Sequence, residues 1–146
     1  MTLAIIIVDH GSRRDESNQM LEAFAAEYAQ RHADVIVEPA HMELAEPSIA
    51  TAFDRCVDRG ATRVAVAPYF LAPGRHWNED IPRLAAEAAA RHTGVEFLVT
   101  APIGLHPLMQ DVIASRVEHC LKRVAGEADA CDVCDDGGGC SLIRAE

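Results

Sequence analysis

The sequence predicts an α/β fold: a four-stranded parallel sheet in the order 2-1-3-4, with helices on both faces and an irregular C-terminal tail. Two patterns and one bulk property predict it. Short β-branched apolar runs alternate with helical periodicity four times along the chain, which is the signature of right-handed βα crossovers. A proline inside the second run, Pro39, places that strand at an edge, because proline cannot donate to a ladder. The chain has 146 residues, 49% of them hydrophobic, enough for one core and too little for two domains.

Leu3–Val8 is a continuous apolar run, as expected of a strand covered on both faces. A helix over about Asp15–Arg31 follows, with Leu21, Phe24, Ala25 and Tyr28 on one face. Val35–Glu43 reads as the second strand. The second helix, about Pro47–Arg59, carries Ile49, Phe53, Cys56 and Val57 inward and stops at Gly60. Arg63–Pro68 is the third strand, and a helix over about Asn78–His92 turns Ile81, Leu84, Ala85 and Ala88 inward. Glu96–Thr100 is the fourth strand. The last helix, about Pro107–Val124, has Ile113, Val117, Cys120, Leu121 and Val124 as its stripe. Residues 1–125 form the domain, and 126–146 an acidic, cysteine-containing tail without period. The strand order is that of a flavodoxin-like winding, whose crevice opens between strands 1 and 3 at their carboxyl ends.

Net charge is −10, from 23 acidic and 13 basic residues. This excludes a general nucleic-acid binder, which needs a basic stripe for phosphates, and is compatible with handling cations. No run is long enough to span a membrane, and Leu3–Val8 lacks the basic leader and length of a secretory signal. The chain is therefore placed in the cytoplasm, where five cysteines read as core, metal or redox residues and not as a disulfide framework.

Four of the seven histidines, His10, His41, His76 and His106, map to the carboxyl end of a strand or the loop after it. His10 and His76 follow the two strands that border the crevice. His32 and His92 fall at helix C-termini, where an imidazolium complements the dipole, His119 lies off its helix's stripe, and His106 reads as a cap on the last helix. His41 and Glu43 alternate on one face of strand 2; His41 reads equally as a partly buried edge residue. A carboxylate such as Glu43, entering a crevice, needs a metal or an imidazolium as partner. Two histidines and one carboxylate with open positions suit transient holding of a divalent metal, not a closed structural zinc site. Imidazole also accepts protons near neutrality. Arg13, Arg14 and Arg75 stand beside the two histidines, and Tyr69, Phe70, Leu71 and Trp77 supply an apolar wall, unless Trp77 is ordinary core.

The segments Asp9-His10-Gly11-Ser12-Arg13, Glu43-Leu44-Ala45-Glu46-Pro47-Ser48-Ile49, Pro68 to His76 with Asp80-Ile81-Pro82, and Gly104-Leu105-His106-Pro107 resemble the small sirohydrochlorin chelatases of the CbiX/SirB type. The resemblance covers residues 3 to about 124, with the four motifs in the family's order. It implies a chelatase-like fold and insertion of Fe²⁺ or Co²⁺ into sirohydrochlorin, a tetrapyrrole bearing eight carboxylates, on the route to sirohaem or cobalamin. It implies that His10 and His76 are the active-site histidines, one holding the metal and the other accepting a proton, with Glu43 facing the same cleft. Ser12, Arg13, Arg75 and Tyr69 would contact the macrocycle, and two copies of the chain would form a homodimer.

Cys56 and Cys120 fall on apolar helix faces and read as core. Cys131, Cys134 and Cys140 have no such face, and their spacing suits an iron–sulfur cluster or zinc; plant-type members carry a similar extension. Two other functions compete. A non-catalytic metal or iron–sulfur carrier would make the tail the functional part. A histidine-phosphatase-type hydrolase also places His-Gly after its first strand, but it wants an arginine before that histidine, and here Asp9 would repel phosphate.

Overall fold

The computed structural model describes residues 1–129 and 133, and His76 by its backbone alone. Its contacts divide the chain into Met1–Leu105 and His106–Glu146. The first unit holds β1 (Leu3–Asp9), α1 (Asp15–Arg31), β2 (Ile36–His41), α2 (Ile49–Asp58), β3 (Arg63–Pro68), a π-type turn (His76–Asp80), α3 (Ile81–Ala89) and β4 (Glu96–Val99). The sheet is parallel throughout, in the order β2-β1-β3-β4. Pro39 lies on the edge strand, as expected.

The two faces of the sheet carry separate cores. Ala4, Ile6 and Val8 of β1 and Val64 and Val66 of β3 pack with Phe53, Cys56, Ile81 and Ala85 of α2 and α3. The alternate residues Ile7 and Val37 pack with Leu21 and Ala25 of α1. Helices therefore cover both faces, and β1, paired on both edges, is the strand with the most continuous apolar run.

Local chemistry sets the ends of the elements. Ser48 Oγ accepts the Thr51 N–H at the N-terminus of α2. At its C-terminus Gly60, with φ 99°, closes a Schellman motif in which Gly60 N–H donates to Val57 and Ala61 N–H to Cys56. The third helix begins differently from expectation. Instead of an α-helix from Asn78, the chain makes a π-type turn over His76–Asp80 and becomes α-helical at Ile81. Pro82 has no N–H with which to close an α turn on the Asn78 carbonyl.

In the second unit α4 runs over Leu108–Val124. Its expected stripe is not buried: Ile113, Val117, Leu121 and Val124 are exposed among the described residues, and so is Cys120, which is not a core thiol. Helical periodicity identifies an apolar face but not the surface that covers it. Among the described residues no helix is long and apolar enough to cross a membrane.

Candidate active site at the carboxyl ends of β1 and β2

β1 ends at Asp9 and β2 at His41, and these two residues are register partners. The backbone ladder continues beyond them, with Met42 N–H donating to the Asp9 carbonyl and Glu43 N–H to the His10 carbonyl. Leu44 then turns the chain with φ 72°. This continuation brings Glu43 beside His10: His10 Nε2 lies 2.9 Å from Glu43 Oε1, with both side chains about half exposed.

Glycine at position 11 makes the close approach possible. Gly11 has φ 90°, and a Cβ there would lie 1.9 Å from the Glu43 carbonyl oxygen and 3.1 Å from His41 Cβ. The following turn is clamped by Asn18 of α1, which is buried. Its Oδ1 accepts the Ser12 N–H at 3.0 Å, and its Nδ2 donates to the Ser12 carbonyl at 2.8 Å. Ser12 Oγ accepts the Arg14 N–H at 3.0 Å.

An acceptor faces each nitrogen of the His10 ring. Nδ1 donates to the Gly11 carbonyl at 3.1 Å, and Nε2 faces the Glu43 carboxylate. The second contact is complete only with a proton or a cation at Nε2. Of the two partners expected for Glu43, a metal or an imidazolium, the imidazole of His10 lies beside it. Glu43 lies past the strand and is half exposed, whereas His41 is wholly buried, so the two do not share a strand face. His41 Nδ1 donates to Asp9 Oδ1 at 2.7 Å.

The loop after β3 is anchored at both ends. Tyr69 N–H donates to the Val8 carbonyl at 2.7 Å, and the Tyr69 ring packs on Phe24 of α1 at 4.9 Å between centroids. Both rings are exposed, so Phe24 is not the core residue its spacing predicted. Gly104 backs directly onto the Leu71 carbonyl, where a Cβ would lie 1.2 Å away. Trp77 Nε1 donates to the Thr100 carbonyl at 2.8 Å, tying the π-type turn to the end of β4. Arg75 stands in solvent 3.6 Å from Glu79, Arg14 lies 3.8 Å from Glu16, and Arg13 lines a cavity of about 380 Å³ with Ser12 and Glu46. The side chain of His76, and Cys131, Cys134 and Cys140, lie outside the described residues.

Three further histidines make local contacts, and His119, expected off its helix's stripe, has a buried Nε2 without a hydrogen-bond partner. His32 donates to the Tyr28 carbonyl at the end of α1, and His106 Nδ1 accepts the Leu108 N–H at the start of α4. His92 and Arg91 hold Asp54 at 2.7 Å and 2.6 Å. Burial would raise the Asp54 pKa, but the His92 hydrogen bond and the Arg91 charge outweigh it and hold the carboxyl below 3.8. Burial, with Glu38 nearby, pushes the Cys56 thiol up to about 12, against the pull of Arg59. Among the described residues no three His, Cys, Asp or Glu side chains converge on one point.

Residues 4–120 match the model of the family CbiX. The chain is 56% identical over 140 residues to a chloroplastic sirohydrochlorin ferrochelatase of Arabidopsis thaliana, covering 96% of this chain and 62% of that one. It is 35% identical over 115 residues to a sirohydrochlorin ferrochelatase of Priestia megaterium, covering 78% of this chain and 43% of that one. It thus spans less than two thirds of either relative. Among solved structures, a cobalamin biosynthesis CbiX protein of Marinobacter aquaeolei superposes with a TM-score of 0.71 at 33% identity, over 83% of this chain and 98% of that one. The sirohydrochlorin chelatase SirB of Bacillus subtilis subspecies spizizenii, in complex with cobalt, gives 0.69 at 35% identity, over 86% and 52%.

Proposed function

The chain belongs to the CbiX family, and on that premise we propose that it inserts Fe²⁺ or Co²⁺ into sirohydrochlorin. The observation that carries this is the 2.9 Å pairing of His10 Nε2 with Glu43 Oε1 at the carboxyl end of the sheet. Insertion exchanges two pyrrole protons for one divalent ion, without redox change. An imidazole and a carboxylate side by side offer two bases for those protons, the His10 lone pair and the Glu43 carboxylate. The same two atoms suit weak, open coordination of the incoming ion, which must afterwards be released to the ring nitrogens. His76 is the second imidazole of this reading. Either histidine can hold the metal while the other accepts a proton.

The exposed Tyr69–Phe24 pair offers an apolar wall to the macrocycle face. Arg13, Arg75 and Ser12 are the groups assigned to its carboxylate rim. Residues 1–125 then form the chelatase domain. A homodimer is the assembly this reading assigns to it. Cys131, Cys134 and Cys140 of the 126–146 tail are assigned to an iron–sulfur cluster, and the chain to the cytoplasm.

The test is to mix the full chain anaerobically with sirohydrochlorin and Fe²⁺ or Co²⁺ and follow the visible spectrum. Insertion should run faster than the uncatalysed rate, and His10→Ala should slow it by about 10²–10³-fold. A rate equal to the uncatalysed one with both metals would refute the proposal. A colour lost on changing Cys131 and Cys134 to Ser would support the cluster.

A further inference from the structure

His41 is the one buried imidazole among the described residues, and the proposed chemistry does not use it. Its Nδ1–H is committed to Asp9 Oδ1 at 2.7 Å, which leaves the lone pair on Nε2. That Nε2 is buried and has no hydrogen-bond partner. It faces Glu22 Oε2 of α1 at 3.6 Å, too far for a hydrogen bond and with an acceptor on each side. Carboxylate on one nitrogen and an open lone pair on the other is how metal-binding histidines are oriented, the carboxylate fixing the tautomer and raising ligand basicity.

The spacing fits an ion. Two ligand atoms 3.6 Å apart, each about 2.1 Å from a shared divalent metal, subtend an angle of about 120°. Glu22 also lines the 380 Å³ cavity, together with Asp15, Glu46, Asn18, Gln19 and Arg13. Three carboxylates there outweigh one guanidinium. We propose that His41 Nε2 and Glu22 form a second divalent-cation site, distinct from the His10–Glu43 pair. It lies directly beneath the His10 turn, since His41 Cβ is 3.1 Å from where a Gly11 Cβ would be. With two protein ligands it suits holding an ion briefly, as a reservoir beside the reaction centre, and that role rests on the chelatase reading.

The test uses the full chain with Cys131, Cys134 and Cys140 changed to Ser, so that tail thiolates do not compete, titrated anaerobically with Co²⁺ alone. Calorimetry gives stoichiometry, and visible absorption reports the nitrogen and oxygen ligand set. Glu22 is partly exposed on a helix, so Glu22→Gln keeps the fold. It should weaken one Co²⁺ equilibrium by at least about tenfold, while His10→Ala leaves that equilibrium in place. His41→Gln, checked for folding by circular dichroism, should lose the same equilibrium. Co²⁺ binding by Glu22→Gln with the parent's stoichiometry and affinity would overturn the site. Sirohydrochlorin turnover is measured separately. Glu22-dependent binding without turnover would sink only the chelatase reading; turnover with Glu22-independent binding would sink only the second site.

Discussion

Replacing Gly11 by Ala isolates what holds His10 and Glu43 together. Two penalties combine at this position. A non-glycine residue at φ 90° costs about 1–2 kcal/mol in backbone strain. The added Cβ would also lie 1.9 Å from the Glu43 carbonyl oxygen, about 1.5 Å inside the 3.4 Å of ordinary contact. The β1 and β2 ends must separate by that amount, breaking the Glu43 N–H to His10 carbonyl bond, a loss of about 1 kcal/mol. Residual distortion brings the total to about 3 kcal/mol. Gly60→Ala is the matched control: φ is 99°, yet nothing lies within 4 Å of the new Cβ, so only the strain of about 1 kcal/mol applies. For a chain of this size, differential scanning calorimetry should show Tm lowered by roughly 9 °C for Gly11→Ala and roughly 3 °C for Gly60→Ala. Metal insertion should fall only in the former. Equal Tm losses in the two variants would refute the steric argument, and with it the claim that a glycine lets these strand ends converge.

Other consequences follow from the titrating groups. With its pKa pushed up to about 12 from an ordinary 9.0, Cys56 holds about a thousandfold less thiolate than an ordinary cysteine. Iodoacetamide with peptide mass spectrometry at pH 8 should label the exposed Cys120 quickly and Cys56 only on unfolding; equal rates would contradict the burial. Asp54, held below 3.8, contributes stability that is present above 3.8 and lost as pH falls through its lower folded value. The stability gap between wild type and Asp54→Asn in urea unfolding should therefore shrink between pH 5 and pH 2, and a constant gap would disprove the His92–Arg91 clamp.

Much of the scaffold was legible because periodicity and turn chemistry agree locally. α1 and β3 occupy the spans their sequences predict, and Pro39 alone placed β2 at the edge. What the sequence could not show depends on contacts between distant segments. The second strand was expected to extend to Glu43, but Leu44 turns the chain and leaves Met42 and Glu43 as a ladder without a strand. His41 looked half-buried because alternation gives a face and not the depth of a residue; in the fold it is wholly buried. Asn18 shares the buried face of α1 with Leu21 and Ala25, and Glu22 lies beside that face. Only the fold shows that one clamps Ser12 and the other faces His41. The open stripe of α4 is the converse, a core-like pattern without a core.

The pairing of His10 with Glu43 is tested most directly by a double-mutant cycle on the insertion rate, with His10→Ala, Glu43→Gln and the two combined. If the pair takes up the pyrrole protons as a unit, each single variant should lose about 10²-fold or more, and the double variant should be little worse than the poorer single one. Losses that multiply across the cycle, or a Glu43→Gln rate equal to wild type, would contradict the account.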